Sequence, residues 1–342
     1  MRTTDYPESL NMEQTMLNSR DPDLSVILVT PDCYETIRRT VKHLRAQAAC
    51  DRLEVVIVTS APDMLNLDET EMSRFLAYQV VSIDRIHSIA SANAAGVRRA
   101  RAPVVALGED HAFPAPGWAD ALLAAHRRPW AVVGPAIRNA NPDSVVSWAD
   151  LLIAYAPWVH PAPAGPRDHL PGHNSSYKRD ILLSYGSDME TMLDAESVLH
   201  WDLRAKGHQL YLEPDAQIFH MNFGRLASWL PAQYYSGRVF AASRAQGWRP
   251  LQRLLYALAG PLIPMIRFRR ILSQVRQSAC WKQLPRGVMP LLGLGLVVSA
   301  CGEMIGYVAG VGQSKPKLAA FEFHRVRHLG KRRRPSEALV EM

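Results

Sequence analysis

Cysteine is scarce. The chain of 342 residues has only Cys33, Cys50, Cys280 and Cys301, with no C-x-x-C pair and no histidine at a zinc-site spacing. A structural zinc site and a disulfide framework are both disfavoured, and reduced thiols in a cytosolic compartment are expected. The first twenty residues hold no apolar run, so no secretory signal is expected. No glycine-rich, Lys- or Arg-bearing loop follows the first apolar run at Thr30, which disfavours nucleotidyl transfer. Acidic residues nearly vanish toward the C-terminus. Residues 225–342 hold 4 Asp and Glu against 19 Lys and Arg, whereas residues 1–224 hold 28 against 20. The net charge of +7 therefore hides two parts of opposite sign. A basic segment alone would suit nucleic acid. This one also carries the longest apolar runs, which points to an anionic membrane surface and no nucleic acid.

The length leaves room for one large α/β domain with an appendage. Leu24–Thr30 and Leu53–Thr59 read as buried strands, Tyr78–Ile83 as a weaker one and Val104–Leu107 as a fourth. Helical patterns separate them, with apolar Ile37, Val41 and Leu44 on one face and a small-residue helix over Ser88–Ala100. Such alternation predicts a doubly wound, mostly parallel sheet with helices on both faces. Further strands are expected at Trp130–Ile137, Leu210–Leu212 and Gln217–His220, and helices at Asp143–Tyr155 and Leu193–Lys206. Pro157–Pro171 reads as a long loop, a length that usually serves function. The expected division is a flexible 1–23, a catalytic domain over 24–224, amphipathic and apolar helices over 225–314, and a basic tail over 315–342.

The densest chemistry lies in VVALGEDHAFPAPGW, residues 104–118. A strand ends at Gly108, and Glu109, Asp110 and His111 follow before Pro114 and Pro116 force a turn. Ligands of open α/β sheets bind just beyond the carboxyl ends of the strands. The triplet reads as a clamp for a divalent ion on a phosphorylated substrate, or as a solvated polar turn. On an extended segment Glu109 and His111 point the same way and make the better ligand pair. A nitrogen ligand moves the preference from magnesium toward manganese.

In the C-terminal part, Leu254–Ile266 is too short to cross a bilayer, which needs about 20 residues. Val288–Val311 is long enough but contains Pro290, Glu303 and several glycines. Basic stretches flank both, and such stretches stay cytoplasmic. A re-entrant or in-plane arrangement on the cytoplasmic face satisfies that rule; a buried soluble helix pair is the alternative. Trp229, Tyr234, Tyr235 and Trp248 fit either an interface belt or core packing.

Taken in order, several segments resemble family 2 glycosyltransferases of the GT-A fold. SVILVTPDCYETIRRTVKHLRAQ is similar to the family's opening strand, turn and helix. Asn93 and Gly96 match its Asn-x-x-Gly helix. GEDHAFPAPGW is similar to its Asp-x-Asp stretch, LPGHNSSYKRD to its acceptor-side segment and DAESVLHWDLRAKGHQLYLEPDAQIFH to the segment with the base. The resemblance implies inverting, metal-dependent sugar transfer from a nucleotide-sugar, with Mn2+ or Mg2+. It implies Thr30, Pro31, Tyr34, Thr59, Asn93 and Asp110 at the donor, and His173, Asn174 and Ser175 at the acceptor. It implies Glu109, His111 and His220 at the metal, and Glu196 as base with Asp194 beside it. A helix N-terminus also favours acidic residues at Glu196, and Asp194 also reads as a helix cap. The chain departs from the family at Thr59 and Ser60, where an Asp is usual, and at Glu-Asp-His in place of Asp-x-Asp. The Gln-x-x-Arg-Trp motif of processive members is missing, which disfavours a polysaccharide synthase. The expected acceptor is a glycan or lipid-linked molecule at the membrane. A non-catalytic nucleotide-sugar-binding module is the alternative.

Overall fold

A computed structural model describes residues 15–16 and 20–330. The expected N-terminal segment and the Lys331–Arg334 basic run lie largely outside the described residues. The strands are β1 (Thr15–Met16), β2 (Leu24–Thr30), β3 (Leu53–Thr59), β4 (Ala77–Ser82), β5 (Val104–Leu107), β6 (Ala112–Pro114), β7 (Val132–Asn139), β8 (Gly165–Arg167), β9 (Ser176–Lys178) and β10 (Leu210–His220). They form one sheet in the order β1-β4-β3-β2-β5-β9-β7-β10-β6, with β8 on β10.

The β4-β3-β2-β5 half is parallel, and every residue of β2 and β3 is buried. Both faces are covered, so these strands read as unbroken apolar runs rather than alternating ones. The other half is mixed. β9 runs antiparallel to β5 and β7, and β6 antiparallel to β10. That half keeps the long parallel β7–β10 pair, so most paired residues of the sheet are parallel and the mixing is confined to its short strands. The antiparallel strands are three residues each, too short to show a period.

Two element readings change. Leu210–His220 is one strand with a register shift between Glu213 and Gln217, not two. The expected helix over Leu193–Lys206 is broken into Met189–Leu193 and Glu196–Ala205. Ala195 is the N-cap residue of the second helix, so Asp194 does not cap it.

The C-terminal part packs onto the sheet domain, and one apolar core includes both Leu151 and Leu292. The helix Val288–Ala309 packs along Leu226–Arg244 and also against Val145–Tyr155. Buried Trp229 rests on Gly295 and donates its indole N–H to Asp150 at 2.9 Å. A Cβ at Gly302 would come within 2.0 Å of the Tyr234 carbonyl oxygen, and one at Gly237 within 2.1 Å of that of Ser299. These glycines let two backbones touch. Glu303 is buried and faces Arg267 at 3.4 Å. Val288–Ala309 is the one described helix long and apolar enough to cross a membrane, yet 44% of its apolar window is buried against the protein.

Candidate active site

Three side chains converge beyond the carboxyl ends of the central strands. Glu109 and His111 follow β5, and His220 ends β10, brought alongside by the β10–β6 pairing. Their ligand atoms all lie within 4.8 Å of one another. His111 Nε2 is 3.7 Å from one Glu109 oxygen and His220 Nε2 is 3.4 Å from the other. All three side chains are buried.

The outer nitrogens of both rings are held by oxygen acceptors. His111 Nδ1 is 2.5 Å from Asp110 Oδ1, and His220 Nδ1 is 2.9 Å from Asn222 Oδ1. The Asn222 amide donates to Asn139 and to the His220 carbonyl, which fixes its oxygen toward the ring. In a neutral ring, a proton on Nδ1 would leave the Nε2 lone pair directed inward. This is the tautomer a metal-binding imidazole needs, set by the partner of the other nitrogen. Burial pushes the Glu109 carboxyl up, but His111, His173 and His220 outweigh it and hold it well below its usual value. An ionised carboxylate with two inward imidazole nitrogens fits a borderline divalent ion.

On one side of this cluster lie the carboxylates of the broken helix. His173 Nε2 is 3.0 Å from Glu196 Oε1. Burial pushes Glu196 up, but the neighbouring imidazolium prevails and keeps it below its usual value. Burial opposes charge on His173, yet Glu196 and Glu109 raise it to about 10. Asp194 differs: burial raises it, and Lys315 is paired with it. Of the two, Glu196 is the carboxylate whose surroundings favour the ionised form. Gly172 makes room for it, since a Cβ there would come within 2.5 Å of the Glu196 Cβ. Gly172→Ala should displace Glu196 while sparing Glu109, His111 and His220. We expect turnover to fall at least tenfold with nucleotide affinity unchanged; equal loss of both in a binding titration would refute this.

The sequence-derived site residues divide into three groups. Glu109, His111, His220, Glu196 and Asp194 line or adjoin one cavity of about 920 Å³, together with His173. Asn174, with a left-handed φ of 69°, sends its amide to Glu109 at 2.5 Å, and so braces the cluster rather than an acceptor. Ser175 is fully buried and donates to the Pro171 carbonyl. Thr30, Tyr34, Thr59 and Asn93 are buried as well. Thr30 donates to the Cys33 carbonyl, Tyr34 to Glu71, and Thr59 accepts from the Ala61 N–H. Those three side chains are engaged inward around the loops after β2 and β3, whereas Asn93 lies on the helix Ile89–Arg99 with its Oδ1 buried and without a hydrogen-bond partner. Pro31 keeps partial exposure on that loop, and Asp110 is spent on His111 and the His324 N–H.

Sequence reasoning passed over Asp32, Tyr155, Asn222 and the cations of residues 315–325. Tyr155 closes the cluster from the Val145–Tyr155 helix, its hydroxyl 3.2 Å from His220 Nε2. The proximity of Asp32 to the quoted Thr30-Pro31 turn was its only signal.

Residues 25–186 match the family model described as glycosyl transferase family 2. No curated protein matches the sequence. Among solved structures, the chain is similar to the mannosyltransferase PcManGT from Pyrobaculum calidifontis, in complex with GDP-Man and Mn2+. The TM-score is 0.51 at 16% identity, covering 84% of this chain and 88% of that one. It is also similar to S. aureus TarS 1–349, with TM-score 0.43 and 12% identity, covering 83% and 90%.

Proposed function

We propose, from the match of residues 25–186 to the glycosyl transferase family 2 model and the likeness of fold, that the chain transfers a sugar from a nucleotide-sugar with inversion. In this reading a divalent ion, Mn2+ or Mg2+, is held by Glu109, His111 and His220. It would offset the charge that builds on the diphosphate leaving group. Glu196 takes the proton of the acceptor hydroxyl, and His173 keeps that carboxylate ionised and aimed. The observation that carries the reading is the shared cavity. It joins Glu109 and His220 to the Glu196–His173 pair. A module that had only to bind donor would not need a buried, ionised carboxylate beside its metal cluster.

The same cavity opens past Arg267 and Arg270 to the helices Pro250–Leu258 and Ile263–Gln277. Those helices expose Leu251, Leu254, Leu255, Leu258, Met265 and Ile266, with Arg249, Arg253 and Arg269 among them. Exposed apolar side chains mixed with arginines suit an in-plane helix pair on an anionic leaflet. The acceptor is then lipid-linked or a glycan presented at that surface, on the cytoplasmic side. The long helix Val288–Ala309 stays with the protein, its Glu303 paired with Arg267.

The activity test is release and transfer of sugar from a panel of nucleotide-sugars with Mn2+, beginning with GDP-mannose, in the presence of lipid extract. Donor binding without transfer to any acceptor or to water would favour the binding-module alternative. The surface is tested separately. Wild-type protein should sediment with vesicles containing phosphatidylserine and resist release by high salt, because apolar burial is not screened. Leu254→Glu with Leu258→Glu should leave most protein in the supernatant. Unchanged sedimentation would remove these helices from the interface.

A further inference from the structure

The segment Ser314–Leu329 lines part of this cavity and sets Lys315, His324 and Arg325 against acidic groups. Lys315 pairs with Asp194. His324 lies between the loop after β2 and the metal turn: its Nε2 is 2.9 Å from Asp32 and its backbone N–H donates to Asp110. Arg325 lies deepest, 3% exposed, with Nη2 3.1 Å from His111 Nε2 and its guanidinium over the Phe223 ring. The segment is tied down past these residues, since the Gly224 N–H donates to the His328 carbonyl at 3.0 Å and His328 Nδ1 is 2.9 Å from Ser228 Oγ.

The contact at His111 is the informative one. Its Nε2 offers a single lone pair, because Nδ1 carries the proton toward Asp110. That lone pair can accept from Arg325 or bind an ion, not both. Arg325 therefore stands in the metal's place, a fixed cation among Glu109, Asp110, Asp150 and Glu322. It is also incompletely used there: its Nε is buried with no hydrogen-bond partner. Arg325 Nη2 also pairs with Glu322, so a guanidinium displaced from His111 by an ion keeps that partner and frees a donor whose planar fork suits phosphate oxygens. His324 already bridges the nucleotide-side loop and the metal turn.

We propose that Arg325 and His324 are leaving-group residues. Arg325 caps the metal ligands while the site is empty and turns onto the donor diphosphate when the ion enters, with His324 beside it. The inference rests on reading this cluster as a metal–diphosphate site. It makes two demands of opposite sign. Without Arg325, Mn2+ alone should bind more tightly, because nothing competes for His111. With Mn2+ saturating, GDP or UDP should bind more weakly, by about tenfold or more for loss of one charge-assisted contact.

The experiment titrates full-length Arg325→Ala, His324→Ala and His220→Ala against wild type. Manganese binding is followed by electron paramagnetic resonance, and nucleotide binding by calorimetry. The expected result is a several-fold tighter Mn2+ and a weaker nucleotide for Arg325→Ala. His324→Ala should weaken the nucleotide and leave Mn2+ little changed. A merely structural strap would move both affinities the same way in both variants, and that result overturns the inference. If Arg325→Ala does not fold, His324→Ala decides: unchanged nucleotide affinity there overturns it. Failure of the metal reading itself looks different, since wild type and His220→Ala would then bind Mn2+ alike.

Discussion

Glu196→Gln is expected to lower transfer by roughly 10²–10⁴-fold, the usual contribution of a general base, while nucleotide affinity stays near wild type. Gln keeps the volume and much of the hydrogen bonding but cannot accept the acceptor's proton. The ion pair with His173 gives this prediction a second arm. In wild type the imidazolium holds Glu196 below its usual value against the pull of burial. The base form is then present at and above mildly acidic pH. His173→Asn removes the main charge that opposes burial, so the Glu196 pKa rises. The acid limb of the kcat/KM profile should therefore move to higher pH, with activity recovered as pH increases. A flat profile in His173→Asn, or near-wild-type turnover in Glu196→Gln, would deny Glu196 the role. Asp194 is a poor substitute, being raised by burial and engaged by Lys315.

The parallel half of the sheet was legible because its strands are buried on both faces and read as apolar runs. β9 and β6 were not legible, because three residues carry no period and their pairing depends on partners far along the chain. Glu109, His111 and His220 were readable for different reasons. The first two sit on one short turn, whereas His220 followed from a resemblance and from its place at a strand end. The brace Asn174 was found with another role, since sequence cannot say that a left-handed residue at 174 turns its amide to Glu109. The strap residues escaped entirely. They lie more than 200 positions from the metal turn, as in the contact of Arg325 with His111, and a basic tail reads first as a solvated or membrane-facing one. The glycines of Val288–Ala309 misled in the same way. In an apolar helix they suggest membrane packing, but here they let the helix touch the Leu226–Arg244 backbone.

Glu109→Gln is expected to abolish metal-dependent nucleotide binding. Among the described residues, Glu109 is the one carboxylate that reaches both inward imidazole nitrogens, at 3.7 Å from His111 and 3.4 Å from His220. It is held ionised although it is buried, because the surrounding histidines outweigh desolvation. Neutralising it removes a ligand charge and leaves Asn174, whose amide donates to Glu109, facing an amide that can turn either way. Changes to the outer partners of metal ligands already cost about 10–100-fold in affinity, so loss of the ligand itself should reach or exceed the top of that range. Asp110→Asn should fall within it, because it perturbs the His111 nitrogen opposite the inward one and the contact with the His324 N–H but leaves Glu109 in place. The ordering matters as much as the size. Manganese titrations in the presence of GDP or UDP should rank wild type above Asp110→Asn and Asp110→Asn above Glu109→Gln. If Asp110→Asn proves the more damaging, Asp110 is itself a ligand and the inward tautomer of His111 is wrong.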